Sequence, residues 1–455
     1  MPAEITEKVA PVAGSIGHSQ RTIGRHRGAG LSERLVSGGV VFKTQSRPST
    51  TRSRIRGFLT TFTALLMLWA AVLMTIAITV IPDGYWYSYF VIDYSVGFIR
   101  RGLAGEMLGL FGSAHYFGGL AVLRWIPTAF FTLGLAALAY SVAVRSGRSD
   151  RRWLLALLIP VLPFGFAFGL FSARTDLLGG AALIGYAIAL TRATTARATV
   201  ITSAVYGLAL AVLTLIHEAT PFLFGLGTAA ALAVLAGRLD TKTFWASGAL
   251  ALGPGVAITM ALALFGKQGV SPQLCQLVQH GPMNHPLAGK PTLGQLLSGF
   301  HYYVDYHDWF CRAFLPMFDQ SFTEGLRFVA SINPVALAGS TVYGLVVVAV
   351  SMLAIGHVSG VPIRRFRDLL RGRSLAMLVG VLLILPVFAT GVDWIRWWVI
   401  IAFDLGIVFL LYTRDQPETD EPPTRRTLVV FAVGAILLAV IPIGIIPGFG
   451  APVPM

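Results

Sequence analysis

Long apolar runs separated by short polar segments make up most of the chain after about residue 57. Eleven of these runs approach the roughly 20 residues that an α-helix needs to cross a bilayer. The predicted spans are 57–81, 118–144, 153–171, 177–191, 199–216, 221–237, 244–266, 335–358, 375–391, 397–413 and 427–446. Because a chain in lipid must satisfy its backbone hydrogen bonds internally, this pattern predicts an all-α, polytopic membrane helix bundle over residues 57–446.

Polar segments outside these runs divide the chain further. Residues 1–56 carry ten Lys and Arg among Gly, Ser and Thr, which predicts a disordered, basic cytoplasmic tail. The first apolar run is long enough to span a membrane, so we do not expect a cleavable signal peptide. Residues 82–117 are expected to form a first loop with an interfacial helix, residues 267–334 a larger cap, and residues 447–455 a short tail, all extracytoplasmic.

The composition and the distribution of charge support a membrane protein and orient it. Of 455 residues, 55% are hydrophobic and only 12% are charged, which is too apolar for an ordinary soluble protein. The net charge of +14 comes from basic residues in the tail and in short loops, so no nucleic-acid partner is predicted. With the N-terminus inside, 26 of the 35 Lys and Arg lie on the inner side. This asymmetry predicts a cytoplasmic N-terminus, an extracytoplasmic C-terminus and a place in the cytoplasmic membrane.

Charged side chains occur in each of the four outer connections at 90–106, 172–176, 217–220 and 391–397. Guanidinium groups suit phosphate and carboxylate, and a carboxylate or imidazole can take a proton from a hydroxyl. The candidate catalytic residues are Asp93, Glu218 and His217. The candidate substrate-binding residues are Tyr94, Arg100, Arg101, Arg174, Asp176, Asp393, Arg396 and Trp397.

Each of these charges also has a purely structural explanation. Arg100 and Arg101 can snorkel to lipid headgroups from an interfacial helix, on which neighbouring side chains diverge by about 100° and only one would face a site. The Arg and Asp of 172–176 can pair locally, as can those of 391–397 at i,i+3 spacing. His217 can simply be an imidazole at a helix C-terminus, where the helix dipole favours it.

Several other chemistries are not supported by the sequence. His217-Glu218 lacks the second His, four residues further on, of a zinc-protease helix, and neither a phosphate-binding loop nor a nucleophile elbow is present in structural context. No metal site and no cofactor are predicted, and a requirement for a divalent metal is left open. Cys275 and Cys311 both lie in the cap and are expected to form a disulfide that staples it. The cap histidines, His280, His285, His301 and His307, are expected to be solvated.

The topology over residues 57–446, with Asp93 in a first outer loop, resembles that of the GT-C glycosyltransferases, which use polyprenyl-phosphate sugars outside the cytoplasmic membrane. That family often has paired acids in this loop, whereas this chain has Asp93-Tyr94 with Asp83 ten residues earlier. The resemblance implies transfer of a sugar from a polyprenyl-phosphate donor to a cell-envelope glycan or lipid acceptor. The strings DYSVGFIRRGL, SARTD, HEATP and DWIRW also resemble those of bacterial membrane proteins associated with surface polysaccharides.

Three other functions remain open at this point. A polysaccharide polymerase or ligase would act on the same class of lipid-linked sugar. A transporter or flippase would place ionisable groups within the bilayer, and Asp404, eight residues into the tenth predicted span, is such a group. A structural membrane subunit would use none of these charges for chemistry.

The predicted orientation can be tested by labelling single cysteines from outside the cell. Because the inner side is identified by its excess of Lys and Arg, labelling should follow that assignment. Positions expected to react are Gly112, Gln279 and Pro447, and positions expected to be protected are Ser149, Gly372 and Thr419. Reaction at position 372 would contradict the orientation.

Overall fold

The computed structural model describes residues 49–80, 82–144, 149–237 and 239–440. Within these ranges the chain is mostly helical, and the predicted all-α membrane bundle is confirmed. The predicted basic tail lies outside the described residues as far as residue 48. The residues of this segment from Ser49 onward are helical. The predicted C-terminal tail, 447–455, lies outside the described residues.

The α-helices, numbered along the chain, are α1 (Ser49–Thr75), α2 (Gly102–Gly109), α3 (Tyr116–Leu123), α4 (Trp125–Ala143), α5 (Asp150–Leu158), α6 (Phe166–Phe171), α7 (Leu177–Leu190), α8 (Ala196–Ile216), α9 (Thr220–Leu223), α10 (Gly225–Leu235), α11 (Thr241–Phe265), α12 (Ser271–Cys275), α13 (Leu293–Leu297), α14 (Tyr306–Trp309), α15 (Phe322–Ala330), α16 (Pro334–Ser359), α17 (Ile363–Arg371), α18 (Ser374–Thr390), α19 (Trp394–Arg414) and α20 (Arg425–Val440). Short 3₁₀ segments cover Gly84–Phe90, Tyr94–Val96, Ser113–His115, Ile159–Val161, Pro286–Gly289, Leu315–Phe318 and Pro417–Asp420. Single π-turns cover Ile76–Val80 and Phe310–Phe314. Two short antiparallel strands, β1 (Pro282–Asn284) and β2 (Tyr303–Asp305), pair with Met283 opposite Val304.

Fewer helices than predicted are long enough to cross a bilayer. Among the described residues, seven segments are long and apolar enough: Ser53–Val80, Ser113–Ala143, Asp150–Phe171, Ala196–Ile216, Thr241–Phe265, Pro334–Ser359 and Trp394–Arg414. An eighth exists if α17 and α18, which meet at 90°, count as one bent span. Within the described residues, two of the eleven predicted spans are therefore too short to cross, and the last, 427–446, extends beyond the residues that the structure describes.

Two of the predicted spans form helices that are apolar but too short to cross a bilayer. The predicted spans 177–191 and 221–237 are α7 and α10, with 14 and 11 residues. At 1.5 Å per residue, α7 extends for about 21 Å, less than the ~30 Å hydrocarbon core. Both helices are largely buried by their neighbours, so other parts of the protein, and not lipid, cover most of their apolar surfaces.

Polar N-caps begin several of the long helices. The Thr195 side chain accepts the Ala198 N–H at the start of α8, and Asp240 accepts the Thr243 N–H at the start of α11. Such caps satisfy backbone donors that have no partner within the helix. They therefore set where these two neighbouring helices begin.

Small residues allow the closest contacts between helices. Gly207 of α8 lies so near α11 that a Cβ added to it would be 1.9 Å from the Leu250 carbonyl oxygen. Gly344 of α16 likewise faces the ring of Trp398 of α19. Glycine at a membrane helix interface lets two backbones approach and gain van der Waals contact, which is the main attraction between helices in lipid.

The first loop and the cap share a second hydrophobic core beside that of the bundle. Phe90 of the first loop packs in one cluster with Tyr306, Phe310 and Phe314 of the cap, and all four are buried. Ile216, the last residue of α8, belongs to the same cluster. The cap is therefore supported by more than its disulfide, and it holds the first loop against the end of the helix bundle.

The close approach of α8 and α11 gives a matched stability test. Gly207→Ala should lower the thermal unfolding midpoint of the detergent-solubilised protein, because overpacking of this kind costs about 1–3 kcal/mol. Gly185→Ala is the control, since Gly185 lies inside α7 with open space around its Cα. Each change replaces a glycine inside a helix by alanine and raises helix propensity by the same amount. The two variants therefore differ only in the contacts that the added methyl group makes. Equal midpoints for the two variants would show that the helices do not approach at Gly207.

Candidate functional site

Charged residues from the connections that precede α2, α7, α9 and α19 meet at one end of the bundle. We call this group the charged cluster. It comprises Arg101, Arg174, Asp176, His217, Glu218, Asp393 and Arg396. Seven of the eleven candidate residues from the sequence are thus brought together, although they are spread over almost 300 positions of the chain.

Two ion pairs in the charged cluster cross between connections. Arg174 pairs with Asp393, and Arg396 pairs with Asp176. Arg396 also lies 3.5 Å from Asp393, which is the i,i+3 contact expected from the sequence. The local pairing expected within 172–176 is replaced by these crossed pairs. Asp176 and Asp393 stand at the N-caps of α7 and α19, where the helix dipole also favours a carboxylate.

The second half of the charged cluster joins the first loop to the end of α8. Arg101 makes a two-point contact with Glu218, through Nε at 3.0 Å and Nη2 at 3.1 Å. Arg100 lies farther away, with its Nη1 atom 4.0 Å from Glu218 Oε1, and donates a hydrogen bond to the Met317 carbonyl of the cap. Such bidentate contacts are among the stronger hydrogen bonds in proteins.

Both adjacent arginines therefore reach the same acid, contrary to the expectation that they diverge. Arg101 has φ +64°, in the left-handed region, and stands at the N-cap of α2. The two residues are thus not consecutive positions of a helix, and the divergence of about 100° does not apply. Both guanidinium groups also lie over the Phe318 ring of the cap, at 4.9 and 5.2 Å from its centroid.

Tyr89 connects the two halves of the charged cluster. The Arg101 guanidinium lies 5.6 Å from the centre of its ring, and that of Arg174 lies 5.8 Å from it. The Tyr89 and Tyr85 hydroxyls are 3.3 Å apart. Burial raises the pKa of Tyr89 well above its ordinary value, so the phenol stays neutral beside the arginines.

The electrostatics of the charged cluster set the protonation of its acids. Burial would raise the pKa of Glu218, but Arg101 outweighs it and holds that pKa well below its usual range. Burial would likewise raise the pKa of Asp393, and Arg174 and Arg396 outweigh it. Both carboxylates are therefore ionised at neutral pH and are weak proton acceptors.

His217 is a neutral imidazole in this setting. Burial, followed by the charge of Arg101, lowers the pKa of His217 to about 4. Its Nδ1 atom accepts the Ala219 N–H at 3.3 Å, which leaves the proton of the neutral ring on Nε2. His217 therefore offers a hydrogen-bond donor at Nε2.

Asp93 lies outside the charged cluster, beside an open groove. We define the groove by Tyr94, Gly97, Phe98 and Leu215, and its volume is about 470 Å³. Asp93 directly precedes Tyr94, and both of its described hydrogen bonds go to Oδ1, from the Ser95 N–H and hydroxyl.

Two residues of the groove lie close in sequence to residues of the charged cluster. Phe98 precedes Arg101 by three residues, and Leu215 precedes His217 by two. Lys267, which is exposed, donates its backbone N–H to the Phe98 carbonyl, and its side chain passes close to Gly97. The groove thus has apolar walls and cationic neighbours.

Trp397 contacts the charged cluster through its backbone N–H, which donates to the Asp393 carbonyl oxygen at 3.1 Å. It is buried, and its ring packs at 5.2 Å from that of Phe388 of α18. A Cβ on Gly391 would come within 2.5 Å of the Trp397 ring, so the glycine makes room for it. Trp397 thereby fixes the turn that carries Asp393.

A buried acid–imidazole pair escaped the sequence analysis. Asp83 is fully buried, and its Oδ1 lies 2.8 Å from His285 Nδ1 and accepts the Tyr85 N–H at 2.8 Å. His285 is therefore a buried partner that ties the cap to the end of the first span, and the expectation that it is solvated is wrong. The available signal was the position of Asp83, directly after the first apolar run and before the aromatic string YWYSYF.

The cap is closed by a disulfide. Cys275 at the end of α12 and Cys311, in the π-turn after α14, are bonded, with Cα atoms 5.4 Å apart. This bond joins two cap segments separated by 36 residues and lies beside the second hydrophobic core. It therefore restrains the same wall of the cap that supports Arg100 through Met317 and Phe318.

Comparison with known proteins gives a family match over most of the chain. The model of the family described as "Uncharacterised membrane protein Rv1490" matches residues 59–439, which include the charged cluster, the groove and the cap. The uncharacterized protein Rv1490 of Mycobacterium tuberculosis H37Rv is 38% identical over 363 residues, covering 79% of this chain and 83% of that protein. The uncharacterized protein Mb1527 of Mycobacterium bovis matches with the same identity and coverage. No solved structure matches the chain.

The crossed ion pairs lead to a stability prediction. Asp176→Asn should lower the thermal unfolding midpoint, because removing one partner of a buried pair costs about 3–5 kcal/mol. Asp368→Asn is the control, since its carboxylate lies on the exposed surface of α17 at 3.8 Å from Arg364 and should contribute within about 0.5 kcal/mol.

A double variant checks that the loss comes from the pair itself. Asp176→Asn combined with Arg396→Met should recover part of the lost midpoint, because the buried guanidinium that has lost its closest partner is also removed. If Asp176→Asn were as stable as Asp368→Asn, the Arg396–Asp176 pair would not contribute to folding.

Proposed function

The chain belongs to the family of the uncharacterised membrane protein Rv1490, and for this membrane protein we propose a glycosyltransferase activity. The enzyme would move a sugar from a polyprenyl-phosphate donor to a cell-envelope glycan or lipid, on the extracytoplasmic face of the cytoplasmic membrane. The observation that supports this most directly is the open groove, whose first-loop residues Tyr94, Gly97 and Phe98 lie between Asp93 and Arg100 in the chain.

The groove suits the lipid end of such a donor. Tyr94, Phe98 and Leu215 present aromatic and aliphatic surface, and isoprenyl units are apolar and narrow. The Tyr94 and Phe98 rings stack with their centroids 6.4 Å apart, which forms a continuous wall. Burial of the donor's isoprenyl chain along this wall would provide the hydrophobic part of the binding energy.

Cations beside the groove suit the donor phosphate. Arg100 is about one-third exposed and touches Glu218 only at 4.0 Å, so its guanidinium is available to an anion. Lys267 supplies a second positive charge near Gly97. Among the described residues, Arg174 Nε and Arg396 Nε are buried without a hydrogen-bond partner, and such donors usually bind water or a ligand.

Asp93 is the preferred general base among the three candidates. Glu218 is held ionised by Arg101 and has little affinity for a proton, and His217 Nδ1 already accepts a backbone N–H. Asp93 is half-buried and keeps Oδ2 outside its two described hydrogen bonds. It also directly precedes Tyr94 of the groove in the chain, and a general base must lie within hydrogen-bond reach of the incoming hydroxyl.

The proposed reaction assigns one task to each group. The acceptor hydroxyl attacks the anomeric carbon, its proton passes to Asp93, and a new C–O bond forms. The bond between that carbon and the phosphate oxygen breaks, and the electron pair stays with the phosphate. Arg100 then stabilises the charge that develops on this oxygen, which lowers the barrier and not merely the donor's Kd.

Asp93→Asn tests the assignment. In purified protein supplied with polyprenyl-phosphate monosaccharides and envelope lipid extract, this change should lower sugar transfer by about 10²–10⁴-fold. Donor binding should persist, because the change removes a proton acceptor and leaves the groove and the arginines. Asp240→Asn is the control, since Asp240 caps α11 and Asn caps helices equally well.

Two results would contradict the proposal. Transfer by folded Asp93→Asn protein at the wild-type rate would remove Asp93 as the base. Absence of transfer by the wild-type protein with every donor would count against the enzyme itself, provided the same preparation binds no polyprenyl phosphate.

Transport is a second candidate, favoured by Asp404 in the middle of α19. Asp404 is fully buried, its Oδ2 accepts the Gly227 N–H at 2.9 Å, and within the described residues its Oδ1 has no hydrogen-bond partner. A buried intramembrane acid often marks a proton or substrate path. Loss of function in Asp404→Asn with full function in Asp93→Asn would favour a transporter over the glycosyltransferase.

A further inference from the structure

Two imidazoles and two carboxylates converge on the surface of the cap, in a group distinct from the charged cluster and the groove. The residues are His280, Asp305, His307 and Asp308, and one ligand atom from each lies within 4.8 Å of the others. We propose that this group, the cap cluster, binds one divalent transition-metal ion of the zinc class. The inference stands independently of the proposed sugar transfer.

The distances within the cap cluster suit a small metal ion. His280 Nδ1 lies 3.2 Å from Asp305 Oδ1, and His307 Nδ1 lies 3.2 Å from Asp308 Oδ1. Adjacent ligands around a tetrahedral zinc ion, with bonds of about 2.0–2.1 Å, are about 3.3 Å apart. The two imidazole rings stack with centroids 3.9 Å apart, which places the two nitrogen–oxygen pairs side by side, with all four ligand atoms within 4.8 Å of one another.

The backbone that carries these ligands is held at several points. Asp305 ends β2 and is paired with Pro282 of β1, two residues from His280. The Tyr306 N–H donates to the Gly281 carbonyl at 2.9 Å, and the Asp305 side chain caps α14 by accepting the Asp308 N–H. The disulfide anchors the segment after His307. Most of the cost of ordering a metal site is therefore met by the fold.

The ligand types select among metals. Two carboxylates neutralise a divalent cation, and two neutral imidazoles favour zinc and its neighbours over Mg²⁺ and Ca²⁺, which prefer oxygen. Asp308 also lies 4.0 Å from Arg312 Nη2, but that arginine is highly exposed and can turn to solvent. Metal binding at the cap cluster would tie the residues before β1 to those after β2.

The nearby cysteines offer a different site only after reduction. Cys275 Sγ lies 3.5 Å from His307 Nε2, and Cys275, His307 and Cys311 could hold zinc as a pair of thiolates and an imidazole. In the disulfide form neither sulfur is a thiolate, so the site that we propose uses the carboxylates and imidazoles alone. The redox dependence of binding distinguishes the two arrangements.

The experiment uses the full chain without a polyhistidine tag, purified in detergent with the disulfide intact. Zinc affinity is measured by competition with a chromophoric chelator, and the bound metal is counted by elemental analysis after dialysis. We expect one zinc per chain, a higher thermal unfolding midpoint with zinc, and no such shift with magnesium at the same concentration.

Variants then assign the ligands. His280→Ala and Asp305→Asn should each weaken zinc binding by at least the ~10–100-fold that follows from losing an outer-shell partner. His301→Ala is the control, because His301 lies in the same cap and bonds to Asn284, outside the cap cluster. Unchanged metal-free unfolding midpoints and an intact disulfide show that the variants are folded.

Three outcomes would overturn the proposal. The first is wild-type protein that retains no zinc and shows no zinc-dependent midpoint. The second is equal zinc affinity in His280→Ala, Asp305→Asn and His301→Ala. The third is zinc binding that appears only after the disulfide is reduced, which would assign the metal to the thiolate site.

Discussion

The crossed ion pairs between the turn that begins α7 and the turn that begins α19 are the interaction on which the candidate site depends. Removing two charges from water costs several kcal/mol per ion, and only close, well-oriented partners offset it. Arg174–Asp393 and Arg396–Asp176 do so reciprocally, since each turn supplies one cation and one anion. Neither turn can therefore move without leaving a buried charge unpaired.

This constraint also explains how short helices are tolerated in the bundle. α7 is too short to reach across a bilayer, yet its first turn is held by Arg396 of α19 and its apolar face is covered by protein. Its position is thus set by contacts at its N-terminus instead of by lipid thickness. The second hydrophobic core fixes the end of α8 in a similar way, because Ile216 at that end packs with the aromatic residues of the cap. The charged cluster is consequently bounded by rigid elements on both sides.

The helical membrane fold could be predicted from the sequence because apolar runs of this length have few alternatives, but the pairing of charges could not. Arg174 and Asp176 are close in sequence and invite a local pair, whereas their partners lie more than 200 residues away. The positive φ of Arg101, which turns both adjacent arginines toward Glu218, has no signal in its residue type. The burial of Asp83 and His285 depends on how the cap folds back, which no local pattern records. Apolarity alone also does not distinguish a short buried helix, such as α7 or α10, from one that crosses the membrane.

The geometry of Glu218 bears on how an anionic substrate could enter. Its carboxylate accepts two hydrogen bonds from the Arg101 guanidinium, as a phosphate group would. Hydrogen bonds to charged groups contribute about 1.5–3 kcal/mol each, so displacing Glu218 from Arg101 would be costly. The contact of Glu218 with the partly exposed Arg100 is long, and exposed pairs contribute only about 0–1 kcal/mol. Under the proposed function, a phosphate would therefore bind Arg100, which the Met317 carbonyl also holds, more readily than Arg101, whose contact with Glu218 would stay intact. Arg101 then serves to fix Glu218, and through it the end of α8, beside the groove in which the substrate would lie.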